Sequence, residues 1–500
     1  MIVEIKKSAL DYRFLLVVAI CLFLAFIRAD ISKQVAMPVM VTGLAVICGL
    51  VLLWTIQKRM STGRILILIA SAGFLLRIGY TLYTGVDERQ HDVYSFYHKE
   101  GHAGYIVYLY HNYRLPDFDP RTIPQYYHPP LHHAIVAFWL KLNRLMGVGW
   151  EQPKENIQML TLFYSMSYLL LSLKIFREIG LKEVGLVLAF SVIAFHPTFL
   201  ILSGSINNDM LSILLMLGGC YYTIRWYKDP SVKNILKIAL CIGFGMMAKL
   251  TVVLIAPAVA LVLLSRFLSE KSHRWKFIQQ YIMFAVLCIP LGLWWEVRNL
   301  ILFQVPITYV QKLGPDSRQY IGDYTVYQRL FDWSAYQFKN LYVAWGTPYF
   351  EHNIFLTLLK TSVFGESDLG AGNPYMGTPS AFLFYSHAVL VGVSLFAMGW
   401  VIFKKTRDYE RIYKVFFSVL LITFMASYIR FCFAFPHTCT QNIRYVTLAI
   451  FVGALSIGVL AGQISQLNKG WKTMAMTCIV APVVLFVGSS ATVFTLLGLK

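Results

Sequence analysis

DERQHDVYSFYHKEGHAGYIVYLYHNYRLPDFDPRTIPQYYHPPLHH, residues Asp87–His133, is the one long polar interval in the first half of a chain otherwise built from apolar runs. It holds seven of the twelve histidines. Chemistry is therefore expected here, and what flanks the interval decides the fold. With 57% hydrophobic and 14% charged residues, the 500-residue chain is too apolar for a soluble protein. Apolar runs of about 17–22 residues recur, the length that carries a helix across roughly 30 Å of hydrocarbon. The expectation is an all-α polytopic membrane protein. A net charge of +19 would suggest nucleic acid in a soluble chain, but here Lys and Arg lie mostly in short loops between apolar runs. That pattern reports topology, and no nucleic-acid partner is expected. Seven of the eight cysteines lie inside apolar runs without metal-ligand spacing; Cys439 is the exception and has no obvious partner.

Outward from the polar interval, the run from about Ile65 to Tyr83 delivers Asp87 to the membrane surface. The preceding run, about Ala36 to Ile56, ends at Lys58, Arg59 and Arg64, which marks its end as cytoplasmic. Before it, Lys6, Lys7 and Arg13 precede an apolar run from Phe14 to about Ile27. No small-residue cleavage site follows, so this reads as an uncleaved helix with a cytoplasmic start. The polar interval is then extracytoplasmic.

On its other side, LHHAIVAFWLKLNRLMGVGW (Leu131–Trp150) is short and carries Lys141 and Arg144. If it crossed, Lys174, Arg177 and Lys182 would fall outside, against the positive-inside bias, so it reads as an interfacial amphipathic helix. The later basic loops then alternate consistently: Arg225, Lys228 and Lys233; Arg266, Lys271, Arg274 and Lys276; Lys404, Lys405, Arg407, Arg411 and Lys414; Lys469 and Lys472. About thirteen spans result, of which the pair around Lys249 is the weakest. The chain reads as one membrane domain, 1–500. A first outer loop, 84–157, carries the active site and interfacial helices, and a second, 298–380, acts as a cover.

Read as a helix, Asp87-Glu88-Arg89-Gln90-His91-Asp92 would set Asp87 beside His91 and Glu88 beside Asp92. Such a carboxylate can act as general base toward a hydroxyl, join a histidine on a divalent cation, or simply pair with Arg89. If a metal is present, Asp87, His91 and Asp92 are its candidate ligands. The histidine spacings are irregular and no His-Glu-x-x-His occurs, so zinc chemistry is not specifically signalled. Tyr127-His128-Pro129-Pro130-Leu131 suits a sharp entry into the next helix, with His128 at its electropositive end as a capped turn or an anion-facing corner.

At this point the residues carry a resemblance. Arg77, Asp87-Glu88, Gly101-His102 and His128-Pro129-Pro130-Leu131 resemble the first extracytoplasmic loop of the GT-C glycosyltransferases, the superfamily of protein O-mannosyltransferases and aminoarabinose transferases (glycosyltransferase family 39-like). The likeness continues through Ser205-Ile206-Asn207-Asn208-Asp209, Trp294-Trp295-Glu296-Val297-Arg298-Asn299, Lys360-Thr361-Ser362-Val363-Phe364-Gly365-Glu366 and Arg444-Tyr445. It implies a GT-C-like helical bundle in the plasma membrane and a sugar donor on a polyprenyl phosphate. The acceptor would be a glycan, lipid or protein. It also implies that an acid of the first loop acts near the acceptor, with substrate contacts from His91, His102, Tyr127, Asn208 and Asp209. Gln90-His91-Asp92 departs from the family pattern, which sets Asp92 level with Asp87 as the base, with Glu88 beside them.

A leaving lipid phosphate gains about one negative charge that lipid-side solvation cannot absorb, so a cation must stand nearby. Arg298, Arg444, Lys249 and Lys360 are the candidates, together with His128; any of them taken singly reads as an interfacial side chain. Arg298, behind Trp294-Trp295, ranks first. A transporter or flippase is the alternative class. It predicts charged or broken segments within spans and paired repeats, whereas most charges here lie at span ends and no repeat is visible.

Overall fold

A computed structural model of the chain describes residues 35–334, 338, 340–343, 351–367, 369, 375–404 and 411–499. The expected first span, Phe14 to about Ile27, lies outside these residues, as do Lys405 and Arg407 and parts of the 298–380 segment. Among the described residues the fold is all-helical, with no strand and one isolated bridge, between Tyr320 and His437. Nine of the described helices are long and apolar enough to cross a membrane, against the thirteen or so expected. Part of the difference is physical. Glu183–Phe195 stops after 13 residues because Pro197 follows, and Val232–Ala248 stops after 17 where Lys249 takes an extended backbone. The helix Leu131–Leu145, at 15 residues, is about 22 Å long, short of the roughly 30 Å needed to cross.

The bundle packs through small residues. Glu183–Phe195 lies between Thr62–Tyr83 and Thr447–Ile464. A Cβ at Gly458 would stand 2.7 Å from the carbonyl of Gly185, and one at Gly185 would collide with that of Gly458. Without side chains there, the two backbones meet directly, the arrangement by which helices associate where no water drives them together.

Arg77 explains how the break at Pro197 is tolerated. Proline has no N–H for the carbonyl of Ile193, and the N–H of Thr198 is taken by the ring of His196, which leaves the Ala194 carbonyl open as well. The fully buried Arg77 reaches across from Thr62–Tyr83 and donates Nη1 to Ala194 O at 2.7 Å, Nη2 to Ile193 O at 3.5 Å and Nε to Ser165 Oγ at 2.9 Å. Its charge is thus spent on stranded helix-end acceptors. Replacing Arg77 by Met leaves those carbonyls without donors, and the expected loss is about 2–4 kcal/mol. Thermal unfolding of the purified protein in detergent checks this; an unchanged midpoint would remove the strut role.

One end of the bundle is tied into a single unit. Gln158 donates to the carbonyls of Thr84, at 2.7 Å, and Gly204, at 2.8 Å. Gln90 donates to Gly204 O and accepts from Ile206 N. The polar interval and the Ser205–Asp209 turn are therefore pinned to each other before any functional contact is made.

Candidate active site

Residues 87–92 form turns and bends, not the helix that the i,i+4 pairing assumed. Arg89 and Asp92 adopt left-handed backbone angles, φ +52° and +57°, and Gln90 is held by the 204–206 turn. Asp87 is consequently not set beside His91, nor Glu88 beside Asp92. Asp87 is exposed, close enough to Glu155 to influence it; Glu88 pairs with Arg89 at 3.1 Å, and that guanidinium covers the ring of Tyr83.

Asp92 instead turns inward to Arg444, 352 positions away, with Nη2 donating to its Oδ2 at 2.9 Å. Arg444 is buried, and Nη1 also faces Asp209 Oδ2 at 3.6 Å while Nη2 faces Glu366 Oε1 at 3.9 Å. Asp209 forms a second ion pair with Lys249. Local structure explains why these groups meet. Asn208 donates Nδ2 to the carbonyl of Ala248 at 2.8 Å, tying the start of helix Asp209–Lys228 to the end of Val232–Ala248. Asp209 and Lys249 are thereby fixed side by side. Asn442 accepts from the N–H of Arg444 and donates Nδ2 to Glu366 at 2.6 Å. Lys249 and Arg444 both lie against the ring of Tyr445.

Glu366 is the residue that motif reading quoted but did not place in the site. Gly365, at φ +64°, ends the helix Ile354–Phe364 and turns Glu366 toward the cluster, where His91 Nδ1 lies 3.3 Å from its carboxylate. Burial alone would raise its pKa; His91, Arg444 and the bond from Asn442 outweigh that and hold it down to about 2. A glycine closing an apolar helix just before a lone acid was the available signal.

His128 is adjacent but uncharged: burial, with Lys249 nearby, pushes its pKa down to about 3. Arg444 and Lys249 are the cations of the cluster. Tyr127 packs on His128, and its hydroxyl is raised by burial and by Asp92. His102 is buried, stacked on His128 and His133 and hydrogen-bonded to His133 at 2.8 Å, so it supports the wall of the site. Cys439 also reaches the site; burial, with Glu366 and Asp92 nearby, pushes its thiol up to about 12 and keeps it protonated.

The other two candidate cations are engaged by groups outside this cluster. Arg298 donates to the carbonyl of Pro116 and to Asn299 and covers the ring of Trp295. Lys360 donates to both oxygens of the buried Glu351, whose carbonyl in turn takes Gln441. These two brace the surrounding chain. Asp87, His91 and Asp92 do not converge as metal ligands, and among the described residues no three His, Cys, Asp or Glu side chains form a group that could hold an ion.

Arg444 Nε and Asn207 Nδ2, and the hydroxyl of Ser205, are buried groups in this region that can donate and have no partner among the described residues. Unsatisfied buried donors are costly unless a ligand satisfies them. Together with the ion pairs they form a donor-rich corner faced by a carboxylate, suited to holding an anion beside a group that can take a proton.

Residues 127–295, about a third of the chain, match the family model of dolichyl-phosphate-mannose-protein mannosyltransferases. No curated protein matches the sequence. Among solved structures the chain is similar to the crystal structure of ArnT from Cupriavidus metallidurans in the apo state, at 12% identity and a TM-score of 0.46, covering 84% of this chain and 74% of that one. The matched segment contains His128, Asp209 and Lys249, and with the apolar helices it supports a multi-pass membrane glycosyltransferase of the GT-C type.

Proposed function

We propose that this protein transfers a sugar from a polyprenyl-phosphate carrier to a hydroxyl of an acceptor glycan, lipid or protein at the extracytoplasmic face of the plasma membrane. The observation that carries the reading is the joined pair of cations, Arg444 and Lys249, with Asp92 on their open side. In the reaction the acceptor oxygen attacks the anomeric carbon and the carbon–oxygen bond to phosphate breaks. The bonding pair stays on the phosphate, which leaves as a polyprenyl monophosphate with one more negative charge. Arg444 and Lys249 meet that charge in a site with little water to screen it, where fixed cations act most strongly. Asp92 takes the hydroxyl proton, and Asp209 and Glu366 hold the cations in position.

The 298–380 segment acts as a cover over this corner. Ile321 N donates to Pro436 O at 3.1 Å and Thr438 N to Gln319 O at 2.8 Å, which supports docking of the segment beside the strip that carries Cys439 to Arg444. Exclusion of water there favours transfer to the acceptor over hydrolysis.

The test is transfer of radiolabelled sugar from defined polyprenyl-phosphate donors by the purified protein, with nucleotide sugars as the comparison and with and without chelator. Product is expected from the lipid-linked donors alone. Transfer from nucleotide sugars, or none from any lipid phosphate, would overturn the reading.

A further inference from the structure

Both terminal nitrogens of Arg444 already face acids, and Nε alone has no partner among the described residues. Arg444 meets three carboxylates, at 2.9 Å (Asp92), 3.6 Å (Asp209) and 3.9 Å (Glu366), and Lys249 is paired with Asp209. A phosphate that grips Nε together with a terminal nitrogen must take the place of one of these acids, because packing a further anion against the same buried charges leaves one of them uncompensated.

The three acids are held unequally. The Asp209 side chain is 2% exposed and bridges two cations, with its backbone N–H fixed by Asn207. The Glu366 side chain is 11% exposed and also engages His91 and Asn442. Asp92 is 38% exposed, and its bond to Arg444 is its one side-chain hydrogen bond among the described residues. It also sits in a coil whose backbone is left-handed at Arg89, Asp92 and Tyr94, a region L residues adopt at a cost. Asp92 is the carboxylate that can leave.

Given the lipid-phosphate donor argued above, we propose that Asp92 is a stand-in for the donor phosphate, holding Arg444 until the phosphate arrives and then swinging off to become the acceptor's base. While its Oδ2 accepts from Arg444, the Asp92 carboxylate stands in the phosphate's place and is aimed at the guanidinium; displacement lets it turn to the acceptor hydroxyl. Donor binding therefore switches on the base, and donor precedes acceptor in the productive order. The competing arrangement is a permanent Asp92–Arg444 pair that orients Arg444 for the phosphate. The two differ in sign, since removing the Asp92 charge relieves a competitor in the first and loosens the binding group in the second.

The experiment measures binding of polyprenyl monophosphate to the full-length protein in detergent, with uncharged polyprenol as control. Asp92→Asn and Asp92→Ser are both used, so that poor folding of one leaves the other. Each is expected to bind the monophosphate about three- to tenfold more tightly than wild type, the gain from releasing a partly exposed ion pair, with polyprenol affinity unchanged. Equal or weaker monophosphate binding by the folded variants would overturn this inference while leaving the donor reading intact. Wild-type protein that binds no polyprenyl monophosphate would overturn the donor reading, and this inference with it.

Discussion

Arg444→Ala is expected to remove binding of a polyprenyl-phosphate donor and to lower transfer about a thousandfold. The guanidinium is buried against three carboxylates, so truncation takes away the charge that would meet the leaving phosphate and leaves three acids facing each other. Losing one preorganised charge-stabilising group costs about 10²–10³ in rate, and the stranded acids repel the donor as well. Because stripping one partner from a buried pair also costs about 3–5 kcal/mol of stability, Arg444→Lys is the necessary companion. It keeps the charge but loses the fork that serves several acids at once, and should retain the fold with transfer reduced less. Arg298→Ala is the contrast. Its guanidinium serves the Pro116 carbonyl and the Trp295 ring, so donor binding should persist. Loss of lipid-phosphate binding in Arg298→Ala with retention in Arg444→Ala would move the phosphate site to Arg298, beside Pro116 and Trp295.

That contrast also marks where the sequence stops being informative. Run length and composition were enough for an all-helical membrane bundle, because hydrocarbon leaves few alternatives for the backbone. A paired tryptophan at a span end made Arg298 the leading phosphate ligand, but nothing local says that a loop carbonyl almost two hundred positions earlier takes that guanidinium. Asp92 and Arg444 could each be named as a candidate, yet their pairing closes over 352 positions and has no local signature. Helix periodicity does not hold over residues 87–92, because the shape of that segment is set by Gln90 gripping the distant 204–206 turn. Glu366 was quoted for its motif, and its place in the site depends on the turn at Gly365. Lys249 does carry a local signature, since a lone lysine amid apolar residues must find an anion or the surface.

Asp92→Asn is expected to lower turnover about a thousandfold while the donor still binds, and Asp87→Asn to leave turnover within about twofold of wild type. The amide keeps the size of the side chain and its hydrogen bonding but cannot take up a proton, so it tests for the base without opening a void. The two acids, equal candidates by position in the loop, are separated by what surrounds them. Asp87 is exposed beside two other acids, Glu88 and Glu155, the latter raised by burial and by these neighbours. A carboxylate in that setting lies off the cation pair and has no fixed geometry toward a sugar bound there. Asp92 lies on Arg444 itself, so a phosphate on that guanidinium would bring the anomeric carbon and the attacking hydroxyl into its reach. Steady-state kinetics with donor binding measured separately distinguishes the outcomes. A fall in kcat with donor affinity kept or improved is the signature of a base that the phosphate displaces. Full turnover in Asp92→Asn with loss in Asp87→Asn would place the proton transfer at the exposed edge of the loop and leave Arg444 and its carboxylates as a structural knot.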